Sequence, residues 1–408
     1  MSTRIILFAG KGGVGKTSVA AATGIRAAKL GYRTLIMSLD TAHSLADVFD
    51  LDWGLMDKKR GKVVALGKNL WIQEVDVQEE IERNWGEVHK YVSTLFNVSG
   101  LDEVLAEELA ILPGMEEVSC LLYINQYVKD KSYDLMVLDC APTGESLRFI
   151  SVPTTLEWYM KKIFTLERNL LRLARPFFKS LSSIPLPEDS YFRSLERLYG
   201  RLSGVDRILT DGRITTVRLV TNPEKIVIKE TQRAFMYFCL YGLWIDAVIM
   251  NRVLPDQVSD GYFSGWKEAQ GKYISSAEEY FSPVPIWQVE LFPNEILGRK
   301  DLSRLAETIY GRKDPTRIFY REKPYQFTKK AGRLVLTVKL PFTSKEDLDL
   351  SRSYDELVIR VGGFKRHVPM PRSVGSAEPT QARIEGNTLT IYFGGEDGRE
   401  KKSCSPAG

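Results

Sequence analysis

A glycine-rich loop between a predicted strand and a predicted helix constrains this chain more than any other feature. The loop runs from Gly10 to Thr17 and reads GKGGVGKT, which matches the pattern G-x-x-x-x-G-K-[ST]. The mostly apolar residues 4–8 predict a buried strand before it, and the Ala-rich residues 16–30 predict a helix after it. A loop in this setting directs backbone N–H groups at phosphate oxygens, and the helix N-terminus adds positive potential. The alternative is an ordinary glycine-rich turn.

The loop residues have distinct predicted tasks. Lys16 would reach the β- and γ-phosphates of ATP and neutralise charge during hydrolysis, and the Thr17 hydroxyl would bind Mg²⁺. ATP and Mg²⁺ are therefore the expected cofactors. The predicted nucleotide-binding residues of this segment are Gly10, Lys11, Gly12, Gly13, Val14, Gly15, Lys16, Thr17 and Ser18.

The pattern of apolar residues predicts an α/β fold, with a mostly parallel sheet flanked by helices. Strands are expected at residues 4–8, 33–39, 133–139, 215–221, 244–251 and 285–289. Helices are expected at residues 16–30, 77–96, 115–130, 224–239 and about 302–310. The glycine-rich loop makes this domain a P-loop NTPase.

Two further segments differ from this alternation. Residues 155–211 contain no convincing strand and predict a helical insert. From about residue 325, alternating apolar and polar runs between Gly and Pro predict an antiparallel β-sandwich. The expected domains are an ATPase domain at 1–315 with the insert at about 155–211, a sandwich at 325–395 and a flexible tail at 396–408.

Two aspartates end predicted strands, where ligands bind in open α/β sheets. Asp40, in SLDTAHSLADVF, could orient or deprotonate the water that attacks the γ-phosphate. It could instead be a helix cap, and His43 is a second candidate base whose position suggests a structural contact. Asp139, in LDCAPTGESLRF, would hold Mg²⁺ through water, unless it is a surface residue.

Composition excludes several other classes of protein. The chain has 56 Lys and Arg against 52 Asp and Glu, an excess too small to indicate a nucleic-acid partner. Four scattered cysteines indicate a reducing compartment, and three histidines disfavour a histidine-based metal site. The first residues lack a signal peptide's apolar segment. A cytoplasmic protein is expected, or one in an organelle stroma if a transit peptide has been removed.

Five motifs together resemble the arsenite-pump and tail-anchored-protein-targeting ATPase family over residues 1–315. In chain order they are GKGGVGKTS, LDTAHSLADVF, LPGMEE, DCAPTGESLRF and LFPNEILG. Lys11 matches the early lysine of that family's deviant Walker A loop. The resemblance implies a homodimer in which Lys11 contacts the partner's nucleotide and takes part in catalysis; the alternative is a solvated side chain.

The resemblance also implies roles for residues outside the loop. The family's base aspartate falls on Asp40, which would lie in the outer coordination sphere of Mg²⁺, and its switch II aspartate falls on Asp139. Its adenine-contacting asparagine matches Asn251, and a proline of the adenine loop matches Pro293. Glu145 stands where many members have His.

The C-terminal residues 325–395 are similar to an α-crystallin (small heat-shock protein) domain, on the strength of GNTLTIYF and HVPMPRSV. A branch of the family with this fused domain is the nearest match. The C-x-x-C zinc clamp of the eukaryotic targeting factor is absent, so a dimer would need other contacts. The thiolate set of arsenite pumps is not reproduced, which disfavours arsenite binding.

The family resemblance implies a homodimeric Mg²⁺-dependent ATPase whose ATP cycle opens and closes a hydrophobic groove for the apolar helix of a client. By the same resemblance the insert would line that groove. It could instead be a core-facing helix with a solvated basic face, or a basic amphipathic helix on a membrane surface. Two other functions remain open. One is a holdase chaperone that acts through the sandwich, and the other is a MinD-like ATPase at a membrane.

Overall fold

The computed structural model forms two compact units that divide between Glu322 and Lys323. It describes residues 3–39, 44–51, 61–80, 85–98, 115–141, 149–153, 155–157, 160, 164, 189–330, 333–353, 356–370 and 379–393. No helix within these ranges is long and apolar enough to cross a lipid bilayer.

The first unit is built on a sheet whose described part has eight strands in the order β3-β4-β2-β5-β1-β6-β7-β8. The strands are β1 Arg4–Ala9, β2 Thr34–Ser38, β3 Val64–Gly67, β4 Leu70–Glu74, β5 Leu135–Asp139, β6 Thr215–Thr221, β7 Ile245–Val253 and β8 Ile286–Glu290. Neighbouring strands are parallel except β3 and β4, which are antiparallel. This arrangement confirms the predicted fold class.

Helices cover both faces of the sheet, and two separate apolar clusters fill the spaces between them. The described helices are α1 Lys16–Lys29, α2 Ser44–Val48, α3 Val77–Glu80, α4 Gly86–Val98, α5 Met115–Asp130, α6 Asp189–Leu202, α7 Val205–Thr210, α8 Lys225–Leu240, α9 Ser264–Phe281 and α10 Gly298–Tyr310. Because both faces are covered, all six residues of β1 are buried. A strand buried in this way reads as a continuous apolar run in the sequence.

The helical insert is described only in part. Its C-terminal portion forms α6 and α7, and most of residues 155–188 lie outside the described residues. Met160 and Phe164 are described and buried, and the ring of Phe164 meets that of Phe192 in α6 at 5.7 Å. These two residues therefore pack inside the fold, as the core-facing interpretation expects.

The second unit is all-β within the described residues. Its strands are β9 Tyr325–Lys330, β10 Arg333–Lys339, β11 Leu348–Ser353, β12 Glu356–Val361, β13 Phe364–Pro369, β14 Pro379–Glu385 and β15 Thr388–Phe393. They form two antiparallel sheets, β14-β15-β10-β9 and β11-β12-β13. Buried residues alternate with less buried ones along β15, which is the period of a strand with one face in a core. The predicted tail at 396–408 lies outside the described residues.

Candidate functional site

The carboxyl ends of four neighbouring strands form one row at an edge of the sheet. The strand register aligns Phe8 of β1 with Asp139 of β5, Asp139 with Ser38 of β2, and Ser38 with Glu74 of β4. The backbone N–H of the next residue, Leu39, donates to the carbonyl oxygen of Asp139 at 2.8 Å. The chain therefore enters residues 40–43, which lie outside the described residues, at a point beside Asp139.

The glycine-rich loop follows β1 at this same edge. The neighbouring atoms leave no room for a side chain at Gly10 or Gly15. A Cβ atom on Gly10 would overlap the carbonyl oxygen of Val220 in β6. Gly15 has a φ of 92°, and a Cβ atom there would lie 2.5 Å from Nδ2 of Asn251. Only glycine combines this left-handed backbone with such close neighbours. The loop thus packs closely against Val220 of β6 and Asn251 of β7 before α1 begins at Lys16.

The two lysines of the loop have different environments. Lys16 is 7% exposed, and its ammonium donates to the backbone oxygen of Lys11 at 3.2 Å. An ammonium has three hydrogens, so two remain available to oxygens of a phosphate. Lys11 itself is partly exposed. The first turn of α1 adds the positive end of a helix dipole to these two charges, which makes the loop suitable for an anion.

The donors that could hold Mg²⁺ lie beside the loop. Thr17 is in the first turn of α1, and its hydroxyl lies 3.2 Å from the Ser44 hydroxyl at the start of α2. Asp139 is buried at the end of β5, the strand next to β1. Hydroxyl and carboxylate oxygens, completed by water, are the ligands that Mg²⁺ takes in nucleotide sites. The residues present therefore fit a magnesium–nucleotide complex.

The structure brings Asn251, but not Pro293, against the loop. Asn251 lies near the end of β7, and its side-chain amide donates to the Val14 carbonyl oxygen at 2.9 Å. Pro293 is exposed and follows β8, which β6 and β7 separate from β1 by roughly 14 Å. The predicted adenine contacts of both residues remain predictions. Asp40 and His43 lie outside the described residues.

Two residues at this edge, Glu74 and Ser44, were not among the predicted site residues. Glu74 ends β4, is 7% exposed, and accepts a hydrogen bond at Oε1 from the backbone N–H of Ala46 in α2 at 3.1 Å. Ser44 lies within the SLDTAHS motif and contacts Thr17. Glu74 could have been identified as an acidic residue at the end of a buried strand. It was not, because β4 was not predicted as a strand.

The chain matches the profiles of two sequence families. The family described as anion-transporting ATPase matches residues 3–311. A domain described as HSP20-like and found in ArsA matches residues 331–393. The two ranges fall in the first and second structural unit, and both matches agree with the resemblances that the motifs indicated.

Similar proteins span nearly the whole chain. A protein of Aquifex aeolicus named as a putative arsenical pump-driving ATPase is 48% identical over 394 residues, covering 96% of this chain and 100% of that protein. A Chlorobaculum tepidum protein with a similar name is 39% identical, covering 96% of each chain. The ATPase GET3 of Chaetomium globosum is 28% identical over 315 residues, which are 76% of this chain and 90% of that protein.

Proposed function

Because the chain belongs to the anion-transporting ATPase family and carries the HSP20-like domain found in ArsA, we propose that it is a homodimer whose ATP cycle opens and closes a binding site for apolar helices of client proteins. Membership of this family makes the chain an ATPase that hydrolyses ATP with Mg²⁺. The homodimer, the apolar client helix and the roles of individual residues go beyond family membership and form the proposal.

The observation that carries the proposal is the contrast between the two loop lysines. The ammonium of Lys16 is buried and directed at the loop's own backbone. Lys11 is partly exposed at the edge where the nucleotide would bind, so its side chain can extend away from its own loop. In a two-fold symmetric dimer that meets at this edge, each Lys11 would contact the partner's nucleotide.

Hydrolysis transfers the γ-phosphoryl group of ATP to water and releases ADP and phosphate. Thr17 would bind Mg²⁺ directly and Asp139 would bind it through water. Asp40 would align the attacking water and accept its proton. Lys16 and the partner's Lys11 would neutralise the charge that develops on the phosphoryl oxygens. Catalysis would then depend on closure of the dimer.

An exposed aromatic tip supports a second copy at this edge. Tyr262 and Trp266 are 79% and 52% exposed and flank Phe263, just before and within the start of α9. Gln270 of α9 accepts a hydrogen bond from the N–H of Leu254, the residue after β7. The helix therefore starts about 9 Å along its own axis from this contact with the end of β7. Exposed aromatic clusters of this kind are typical of interfaces.

A client helix is a better proposed cargo than arsenite. The three cysteines within the described residues, Cys120, Cys140 and Cys239, are all buried. Burial, aided by nearby acids, raises the pKa of the Cys120 thiol well above its usual value. A buried neutral thiol is a poor ligand for arsenite, because the thiolate is the reactive form. The resemblance of the five motifs to tail-anchored-protein-targeting ATPases supports an apolar client.

A second candidate function is a holdase that binds unfolded chains through the second unit. The match of residues 331–393 to an HSP20-like domain favours it, together with the two antiparallel sheets found there. In that case the client would bind the second unit, and nucleotide would only regulate binding.

The deciding experiment measures the mass of the Asp40→Asn protein in solution, with ATP–Mg²⁺ and without nucleotide, and its binding of a fluorescent apolar-helix peptide. The proposal expects an ATP-stabilised dimer that binds more peptide. A Tyr262→Ser/Trp266→Ser variant should weaken the dimer. Leu30→Ser, which changes an exposed apolar residue just after α1, at the opposite edge of the sheet, should not. If peptide binding is the same with and without nucleotide but is lost when the residues after 322 are removed, the holdase is favoured.

A further inference from the structure

The first turn of α2 is tied to its surroundings at two points. Its first residue, Ser44, lies within hydrogen-bond distance of Thr17 through the two hydroxyls, at 3.2 Å. Two residues later, the N–H of Ala46 donates to Oε1 of Glu74 at 3.1 Å. The backbone N–H groups of a first helical turn have no partner within the helix. Glu74 thus supplies an acceptor that the five residues of α2 cannot supply themselves.

These ties act on the segment that carries Asp40. On its N-terminal side, the N–H of Leu39 donates to the Asp139 carbonyl oxygen. On its C-terminal side, Ser44 and Ala46 are held by Thr17 and Glu74. Residues 40–43 therefore connect two anchored points. Because Asp40 stands only four positions before Ser44 in the chain, any shift of Ser44 changes which positions Asp40 can reach.

The character of Glu74 suits such an anchor. Glu74 is buried at the end of β4, paired with Ser38 of β2, and so belongs to the sheet rather than to a loop. A hydrogen bond from a backbone N–H to a carboxylate is stronger than one between neutral groups. A strand gives the acceptor a fixed position, as precise orientation of a reacting group requires.

We propose that Glu74 is a positioning residue for ATP hydrolysis, which holds the first turn of α2 and through it the segment that carries Asp40. The second tie connects this anchor to the metal site. A hydroxyl that binds Mg²⁺ through its oxygen keeps its hydrogen, so Thr17 can bind the ion and still donate to Ser44. The inference rests on the proposed role of Asp40.

The test compares kcat and KM for ATP in full-length Glu74→Ala and Glu74→Gln. Loss of the anchor in Glu74→Ala should lower kcat about tenfold, equivalent to about 1.4 kcal/mol, and leave KM within about twofold. The side-chain amide oxygen introduced by Glu74→Gln can still accept from Ala46, so that variant should recover most of the lost kcat. Asp134→Ala is the matched control, because Asp134 binds Arg33 at the opposite end of β5.

Two results overturn the proposal. One is wild-type kcat in Glu74→Ala, and the other is an equal loss in the Ala and Gln variants, which would exclude the hydrogen-bond acceptor as the cause. If Glu74→Ala does not fold, Ser44→Ala tests the other tie. Ser44→Ala should lower kcat, whereas Ser44→Thr, which keeps the hydroxyl, should keep the wild-type kcat. Equal kcat values in the two Ser44 variants would overturn the proposal that α2 is held at two points.

Asp40→Asn, assayed alongside, separates this inference from the role on which it rests. Wild-type turnover in Asp40→Asn would remove Asp40 from the mechanism and the positioning role with it. An inactive Asp40→Asn next to a fully active Glu74→Ala would overturn the positioning role alone.

Discussion

The side-chain amide of Asn251 donates a hydrogen bond of 2.9 Å to the carbonyl oxygen of Val14, a residue 237 positions earlier in the chain. The same nitrogen lies over Gly15, where any Cβ atom would meet it. The conformation of the phosphate loop is therefore fixed from the adjoining part of the sheet as well as by its own glycines. Substitutions at Asn251 should therefore alter the conformation of the loop, whether or not Asn251 contacts the adenine.

We expect Asn251→Asp to weaken ATP binding more than Asn251→Ala. The aspartate would place a carboxylate oxygen against the Val14 carbonyl oxygen, whereas alanine only removes the donor. Loss of one hydrogen bond costs about 1 kcal/mol, so KM for ATP should rise roughly fivefold in Asn251→Ala, and further in Asn251→Asp. Steady-state kinetics check this. Asn387→Asp, on an exposed turn of the second unit, is the control. Equal KM values in both Asn251 variants would contradict the electrostatic explanation.

Asp246 in β7 forms ion pairs with two arginines of the same sheet, Arg4 in β1 and Arg218 in β6. Its Oδ1 lies 3.1 Å from Nε of Arg218, and its Oδ2 lies 3.7 Å from Nη2 of Arg4. Arg218 and Asp246 are fully buried. Burial alone would lower the pKa of Arg218, but Asp246 and the Tyr310 hydroxyl together outweigh it and the pKa is raised. Both guanidinium groups thus depend on one carboxylate.

Asp246→Asn should be among the most destabilising single changes in the first unit. It would leave two buried guanidinium charges without a counter-ion, and breaking a buried pair costs about 3–5 kcal/mol. Urea unfolding of the full-length chain measures the effect. Glu268→Gln, which breaks an exposed pair with Lys272, should leave the midpoint near that of the wild type. Similar midpoints for the two variants would refute the importance of the buried pair.

The local elements of the fold were predictable because their patterns lie within the sequence that forms them. α5 and β6 occupy the ranges that periodicity and β-propensity indicate, 115–130 and 215–221. β4 was not predicted, since its five residues end in Gln73 and Glu74, which are polar yet buried. Their burial depends on partners elsewhere in the fold: Gln73 donates to the Gly61 carbonyl oxygen, and Glu74 accepts from Ala46.

The residues of the candidate site also fall into two groups: those that a local motif predicts, and those whose contacts depend on the whole fold. The glycine loop and Asp139 at the end of β5 follow from local motifs. The contacts Asn251–Val14 and Thr17–Ser44 join segments whose approach depends on strand order, which no local pattern contains. α9 was also missed. It contains Gly265 and Gly271, and only three of its eighteen residues are buried, so its apolar periodicity is weak.

Asp314 should give the first unit a stability term that disappears in acid. Its carboxylate accepts hydrogen bonds from Tyr32 and from the N–H and hydroxyl of Thr316, each at 2.8 Å. Burial opposes ionisation, but these bonds outweigh it and hold the pKa below its usual 3.8. Because the folded pKa is depressed, this stabilisation is complete above the unfolded pKa and is lost as pH falls through the folded pKa.

The prediction is that Asp314→Asn melts below the wild type at pH 7 by roughly 2 °C, and that the gap closes at pH values below about 3.8. Thermal melting across pH 3 to 7 checks it. Tyr32→Phe removes one donor to the carboxylate, so the loss of stability in that variant should begin at higher pH. A gap that does not vary with pH would contradict the linkage.

Residues 311–319, called the strap here, follow α10 in the chain and are held by side chains of the first unit. Arg218 donates to the carbonyl oxygens of Pro315 and Arg317 at 2.8 and 3.0 Å. The ring of Phe319 meets that of Trp287 at 4.6 Å. The strap is therefore part of the ATPase unit, although it lies beyond residue 311, where the family match ends.

Two truncations of the chain should consequently behave differently. A protein that ends at Glu322 keeps the strap, and we expect it to melt cooperatively and to hydrolyse ATP at a rate within about threefold of the full chain. A protein that ends at Pro315 loses the Arg317 acceptor of Arg218 and the contact of the Phe319 ring with Trp287, so it should melt roughly 3 °C lower, as a loss of about 2 kcal/mol implies for a unit of this size. Melting curves and ATPase rates of the two proteins, measured beside the full chain, check this.

Equal melting temperatures would show that the contacts of residues 316–319 do not stabilise the ATPase unit. A low melting temperature in both would show instead that the first unit depends on the second.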